Sequence, residues 1–227
     1  MRERSDIVNE ELRRRLREKE LALFGRIGAD ISHDMRNVLS IIGENAGLLD
    51  DLLVAAGRGK PLDGERLKRI SASITRQVKN GTDTMERFSR FAHATDEQSV
   101  PVNLTALAGN MAALVQRQVR LAGCTLQAEL PGEAVLVRAN PFSLQHALFL
   151  AVRLILECVE DGSVATMKLV AGGSAAVLSV FGNAASDPGE LPAPVAGLSE
   201  VLEELRGSVE TSREGGIVSL TITIPTQ

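Results

Sequence analysis

Apolar residues in the first part of the chain recur in steps of three and four. From Ile27 the stripe runs through Ile31, Met35, Val38, Ile42, Asn45, Leu49 and Leu52, an a/d-type seam with one polar member. It predicts one helix over residues 6–56, roughly 75 Å long at the α-helical rise. A periodic pattern of that length without internal caps is that of a coiled coil or an extended bundle helix. The segment before the seam is densely charged (Glu10, Glu11, Arg13, Arg14, Arg15, Arg17, Glu18, Lys19, Glu20), with Leu12 and Leu16 as its apolar positions. It reads as a solvated coiled-coil extension or a frayed end. Gly57, Gly59 and Pro61 break the helix, and Asp63 can cap a second one. That helix has its own seam in Leu67, Ile70, Ile74, Val78, Gly81, Met85, Phe88 and Ala92. Two amphipathic helices joined by a short loop form an antiparallel hairpin. The hairpin leaves an apolar stripe uncovered, which predicts a dimeric four-helix bundle.

The pattern changes near Val100 and Pro101, so the expected domains are 1–98 and 101–227. The second half reads as α/β. Residues 104–121 and the strongly apolar 141–159 fit helices, and 198–205 a short one. Residues 124–130 alternate apolar and polar, as a half-buried strand does. Residues 164–170 and 176–181 are strands around the turn Ala171-Gly172-Gly173, and 209–212 and 217–224 form a hairpin around Glu214-Gly215-Gly216. Such runs predict an antiparallel or mixed sheet with helices on one face.

Composition narrows the function classes. The chain has 227 residues, enough for one ordinary domain or two small ones, and its 44% hydrophobic and 24% charged residues are those of a globular protein. A net charge of -4 gives no electrostatic case for nucleic-acid binding, and without Trp or Tyr there is no stacking platform for single strands. No apolar run approaches the ~20 residues that span a bilayer, and the N-terminus lacks an apolar signal core. These features predict a cytoplasmic protein. Cys124 and Cys158, each in an apolar stretch, read as small core residues of a reducing compartment.

The chemistry concentrates in Ser32-His33-Asp34-Met35-Arg36-Asn37-Val38-Leu39. His33 stands two positions from both Ile31 and Met35, so at ~100° per residue it points away from the seam. Arg36 and Asn37, at i+3 and i+4, share its face. Geometry alone favours a surface histidine on a charged helix over a functional one. His93, ending the second helix, and His146, on a later helix, have no comparable setting and read as structural.

His-Asp-Met-Arg-Asn-Val-Leu resembles the H-box of two-component histidine kinases, with Val38 where Pro is usual. The surroundings are similar too: Phe24-Gly25-Arg26-Ile27-Gly28-Ala29-Asp30 before the box, Met85-Glu86-Arg87-Phe88-Ser89-Arg90-Phe91 closing the second helix, and Val102-Asn103-Leu104 leading into the second domain. The resemblance implies a bacterial phosphoacceptor hairpin followed by an ATPase-like α/β sandwich. It implies that His33 carries phosphate on its outer ring nitrogen, and that Asp34 accepts a hydrogen bond from the other ring N–H and fixes the tautomer. Asn37, with Arg36 on the same face, would orient a water that hydrolyses a receiver's acyl phosphate. Its substitution would then spare phosphotransfer and impair dephosphorylation.

The same resemblance exposes what is missing. In the family, the helix corresponding to 142–159 carries two Asn residues that hold Mg²⁺ and phosphate; alignment puts Leu150 and Leu154 there, and leucine offers no oxygen to a hard cation. The adenine-binding Asp is replaced by Gly182, and the Gly-rich lid is reduced to Pro192-Ala193-Pro194-Val195-Ala196-Gly197-Leu198. This pattern is similar to kinase-like histidine phosphotransfer proteins, whose degenerate domain docks a receiver. The expectation is therefore a homodimeric phosphorelay protein with no cofactor of its own, passing phosphate between His33 and receiver aspartates, with Mg²⁺ held by the receiver. Its partners would be a response-regulator receiver and an upstream hybrid histidine kinase, with no nucleic acid and no membrane. The alternatives are an ATP-dependent histidine kinase with a divergent nucleotide site, a receiver phosphatase, and a non-enzymatic docking scaffold.

Overall fold

The structure is a computed structural model that describes residues 2–94, 99–185 and 195–226. Two compact units are present: Gly25–Arg90, and Met1–Phe24 together with Phe91–Gln227. Among the described residues no helix is long and apolar enough to cross a membrane.

Two helices build the first unit. Helix α1 spans Arg2–Gly57 and α2 spans Gly64–His93, as the two seams require. The side chains of Leu12 and Leu16 lie outside the described ones. Gly59, at φ +86°, supplies the left-handed residue of the loop. Asp63 then accepts hydrogen bonds through Oδ1 from the backbone N–H groups of Glu65 and Arg66, at 3.0 and 3.1 Å. This is the expected cap, and it satisfies two donors that the first turn leaves open.

The α1 seam is buried at Ile27 and Ile31 and half-buried from Met35 to Leu52. Asn45, its polar member, turns its amide back to the Ile41 carbonyl at 2.7 Å and so needs no partner across the seam. The helices approach closely at Gly81, where a Cβ would stand 3.2 Å from Val38 Cγ1 and 3.3 Å from Met35 Cε. Not all of the α2 seam is covered: Val78 and Met85 remain 52% and 46% exposed, as does Leu39 of α1 at 60%. These residues line an open apolar groove of about 600 Å³ between the two helices.

The second unit contains the α/β part. Strand β1 (Val100–Asn103) pairs antiparallel with β3 (Leu136–Ala139) in a small two-stranded sheet that the sequence pattern did not predict. Four-residue strands are too short to show a period. Asn103 caps α3 (Leu104–Leu114), and α4 (Gln116–Leu121) follows, so the single helix expected over 104–121 is broken at Val115. Asn140 caps α5 (Pro141–Leu156) by accepting from the N–H groups of Phe142 and Ser143, with Pro141 at the first helical position, where its missing N–H is harmless.

The main sheet has five strands in the order β2-β4-β5-β7-β6: Thr125–Glu129, Val164–Gly172, Ala175–Asn183, Ile217–Pro225 and Ser208–Glu214. Only β2 and β4 are parallel, so the sheet is mixed, as expected. Gly215 and Gly216, at φ +60° and +77°, form the tight β6–β7 turn, in which both central residues must be left-handed. Alternate residues are buried: Ala165, Met167 and Leu169 on β4, Ala176, Leu178 and Val180 on β5, and Val218, Leu220, Ile222 and Ile224 on β7. The intervening residues are half-buried or exposed, so the sheet has one packed face. On it lie α3, α5 and α6 (Val195–Glu204).

An aromatic row ties the helix ends to this layer. Phe91, the last buried aromatic of α2, is fully buried and stacks on Phe24 of α1 with ring centroids 5.9 Å apart; it meets Phe142 of α5 at 6.0 Å. Phe142 in turn meets His146 at 6.5 Å, and His146 is buried, in keeping with a structural role. His93 is exposed at the end of α2. Cys124 is buried and Cys158 half-buried, and burial pushes the Cys158 thiol up, with the Glu157 carboxylate adding to the shift. A thiol so shifted carries little thiolate, as a core cysteine should.

Replacing Phe91 by Ala removes the centre of the aromatic row. Urea unfolding followed by circular dichroism should show a loss of about 3–5 kcal/mol, the usual result of truncating a fully buried Phe.

Candidate functional site

The site is one exposed face of a rigid helix. His33 lies in the middle of α1, and its side chain is 41% exposed while Ile31, two residues before, is buried. Helical geometry puts residues four apart on one face, and the Asn37 amide does reach the ring: its Nδ2 stands 3.3 Å from His33 Nδ1. Asp34 is also near, with Oδ1 4.0 Å from the same nitrogen. That separation allows Coulomb attraction but exceeds a hydrogen bond. Of the two side chains, the Asn37 amide is the one within hydrogen-bond distance of Nδ1. Asp34 directly follows His33, and ~100° of rotation per residue turns its carboxylate aside. Arg36 is exposed and donates from Nε to the Ser32 carbonyl at 3.4 Å, which lays its guanidinium back along the helix. All four residues share one patch of α1, and the chemistry available there is that of an imidazole with an amide, a carboxylate and a cation close by.

The second unit holds the positions where a nucleotide would be expected. On α5, Leu150 is half-buried and Leu154 is buried in the core. Neither can ligate a hard cation. Gly182, on β5, is buried, and a Cβ there would come within 2.8 Å of Val159 Cγ1 and 3.4 Å of the Val164 carbonyl oxygen. An Asp there would have to displace the Val159 side chain. The chain after α5 also pairs with the end of β5: Glu160 donates to the Asn183 carbonyl at 3.1 Å, and Ala185 donates to the Cys158 carbonyl at 3.0 Å. Val159 is thus held over Gly182 from both sides, with Val159 and Ala184 forming an isolated antiparallel bridge. The residues present do not fit the adenine contact or the metal contacts of an ATP site. Of the expected lid, Pro192, Ala193 and Pro194 lie outside the described residues, while residues 195–198 form the first turn of α6. The filling of the Gly182 position was not visible in the sequence, because Val159 lies 23 positions away.

No protein-family model matches the chain, and no curated protein does. Solved structures match well. Histidine kinase ThkA, in a crystal structure with response regulator protein TrrA, is similar over 98% of this chain and 67% of its own, at 18% identity and a TM-score of 0.51. The chain has the histidine-kinase fold. The isolated catalytic domain of ThkA in a nucleotide-free form matches 57% of this chain and 97% of its own, at 18% identity and a TM-score of 0.50. A histidine kinase from Burkholderia phymatum covers 89% of this chain and 97% of its own, at 16% identity and a TM-score of 0.50. The chain therefore shares with these structures a helical hairpin followed by a mixed-sheet α/β domain.

Substituting Gly182→Asp tests the filled position. Where adenine recognition lacked only its acceptor, the variant would gain ATP binding. Here it should gain none in calorimetry and lose at least about 2 kcal/mol of stability, from overpacking against Val159 and burial of a carboxylate.

Proposed function

We propose that this protein is a two-component phosphotransferase that moves a phosphoryl group between His33 and a receiver-domain aspartate without using ATP. The observation that carries the reading is the half-exposed imidazole of His33, whose Nδ1 is engaged by Asn37 in a chain of histidine-kinase fold. With Nδ1 so occupied, Nε2 is the nitrogen that would receive phosphate. A neutral imidazole is a competent nucleophile near pH 7. Transfer from an acyl phosphate needs chiefly alignment and charge compensation, which the receiver's own Mg²⁺ would supply. Apolar Leu150 and Leu154, and the contact of Val159 with Gly182, support the absence of a nucleotide step. ThkA has been crystallised with a response regulator, and a receiver is the corresponding partner for this chain, with an upstream hybrid kinase as the source of phosphate. The setting would be the bacterial cytoplasm.

The apolar groove between α1 and α2 supports a homodimer. Leu39, Val78 and Met85 present a continuous apolar strip where water would otherwise lie. A second hairpin packed on it would cover it as the other half of a four-helix bundle. A receiver phosphatase is the second reading, favoured by the exposed Asn37 amide beside His33, which could orient a water against a docked acyl phosphate.

Two measurements check these statements. Incubation with labelled ATP and Mg²⁺ should give no acid-labile, base-stable phosphate. Incubation with a phosphorylated receiver from the same cell should label the protein, and His33→Ala should abolish that label. Label from ATP alone would make the protein a histidine kinase, and loss of receiver phosphate as free phosphate, unaffected by His33→Ala, would make it a phosphatase. Light scattering should give twice the chain mass at micromolar concentration, and the double variant Val78→Lys, Met85→Lys should give the chain mass.

A further inference from the structure

The two edges of the main sheet differ in how their backbone is satisfied. On β2, Thr125 donates to the Ser163 carbonyl, so the next residue, Leu126, turns its backbone groups outward. Gln116 Nε2 reaches that Leu126 carbonyl at 3.5 Å, and Pro131 follows the strand. The other edge is β6, and among the described residues nothing comparable blunts it. Its seven residues include no Pro and no Lys. Its register with β7 is continuous from Ser208 opposite Thr223 to Glu214 opposite Ile217, so no bulge bends it away. The two-residue turn Gly215-Gly216 makes Glu214 and Ile217 a hydrogen-bonded pair. Alternation then commits Ser212, Glu210 and Ser208 to β7, and turns the N–H and C=O groups of Val209, Thr211 and Arg213 outward. Among the described residues these outward groups meet no backbone partner.

The side chains beside this backbone carry one sign of charge. Ser208, Glu210, Ser212 and Glu214 share the open face of the sheet, and both carboxylates are exposed. Their neighbours on β7, Ser219, Thr221 and Thr223, are uncharged. Lys168 stands in the same cross-strand row as Glu210 but three strands away, and it is paired with Glu129 at 3.0 Å. Three strand spacings are roughly 14 Å, beyond the ~8 Å over which exposed charges act at physiological salt. Arg213 lies on the other face and donates from Nη2 to the Ala185 carbonyl at 2.9 Å. We propose that β6 is a docking edge for an extended basic segment of a partner protein, which adds to the sheet as a further strand. Antiparallel addition pairs its backbone with Val209, Thr211 and Arg213 and sets cations, four positions apart, opposite Glu210 and Glu214. A second copy of β6 fits less well. Paired antiparallel about Thr211, it would bring Glu210 and Glu214 of both copies onto one face, at diagonal positions within reach of each other. The proposal does not depend on the phosphotransfer reading.

The probe is a capped seven-residue peptide with Lys at its first and fifth positions, Val at its sixth and Thr elsewhere. Laid antiparallel, it sets the two lysines opposite Glu214 and Glu210. Titrated to millimolar concentration into the ¹⁵N-labelled full chain, it should shift the amide signals of Val209, Thr211 and Arg213 most, and bind more weakly as salt is raised. The same peptide with Glu in place of Lys should not bind. Glu210→Gln together with Glu214→Gln should weaken binding by roughly three- to tenfold, the scale of two exposed ion pairs, without touching the backbone. Thr211→Pro should abolish binding, because it removes the central outward N–H. That N–H is not used by β7, so an edge strand tolerates the substitution, and circular dichroism should show the sheet retained. No shift along β6 overturns the proposal, as does equal binding of the two peptides or undiminished binding to Thr211→Pro. Concentration-dependent assembly that Thr211→Pro removes would make a second copy the occupant, and overturns it too.

Discussion

Burial of α5 is the constraint from which most of the second unit follows. Thirteen of its residues, from Pro141 to Ile155, are buried, among them Ser143, Gln145 and His146. A surface helix shows one apolar stripe, but α5 is covered by the sheet, by α3 and by α6, so nearly its whole circumference must be acceptable to a core. Among its buried polar residues, Ser143 donates to Glu204 Oε2 at 2.9 Å, which ties α5 to α6, whereas Gln145 keeps a buried Oε1 without a hydrogen-bond partner. Leu154 belongs to this core, and a polar amide in its place would need a ligand to satisfy it. Packing and nucleotide chemistry compete for the same side of one helix, and in this chain packing has taken Leu154.

The closure at Gly182 has the same origin. Once α5 ends at Leu156, the chain must return to the sheet, and it does so by pairing 158–160 with 183–185. That pairing satisfies backbone groups that would otherwise be buried without partners, and it fixes Val159 over β5. The glycine is thus both the absence of an acceptor and the condition for a close contact. Three features that look like separate losses along the sequence (Leu150, Leu154, Gly182) are in two cases linked by the way α5 and its following segment fill the layer.

The parts legible in advance were those with a strong period. The seam from Ile27 to Leu52 gave α1, Asp63 marked the start of α2, and paired glycines marked the β6–β7 turn, because each is a local rule applied over enough residues to be distinctive. The short strands β1 and β3 pair with each other across more than thirty residues, and no local rule reports a long-range partner. The break at Val115 is likewise tertiary, since neither Gly nor Pro stands there. At the site, helical spacing alone placed His33, Arg36 and Asn37 on one face. It could not say whether Asp34 or Asn37 would hold Nδ1, because that depends on rotamers and a difference of 0.7 Å between 3.3 and 4.0 Å.

That small difference follows from what a helix fixes and what it leaves free. The backbone sets the spacing: residues four apart stand on one face, so the Asn37 amide can reach His33 Nδ1 at 3.3 Å, while Asp34, the next residue along, stands at 4.0 Å. A carboxylate in contact with a ring nitrogen can only accept, whereas an amide can donate or accept. The helix therefore decides which side chains are able to meet the imidazole, and the rotamers decide which of them does.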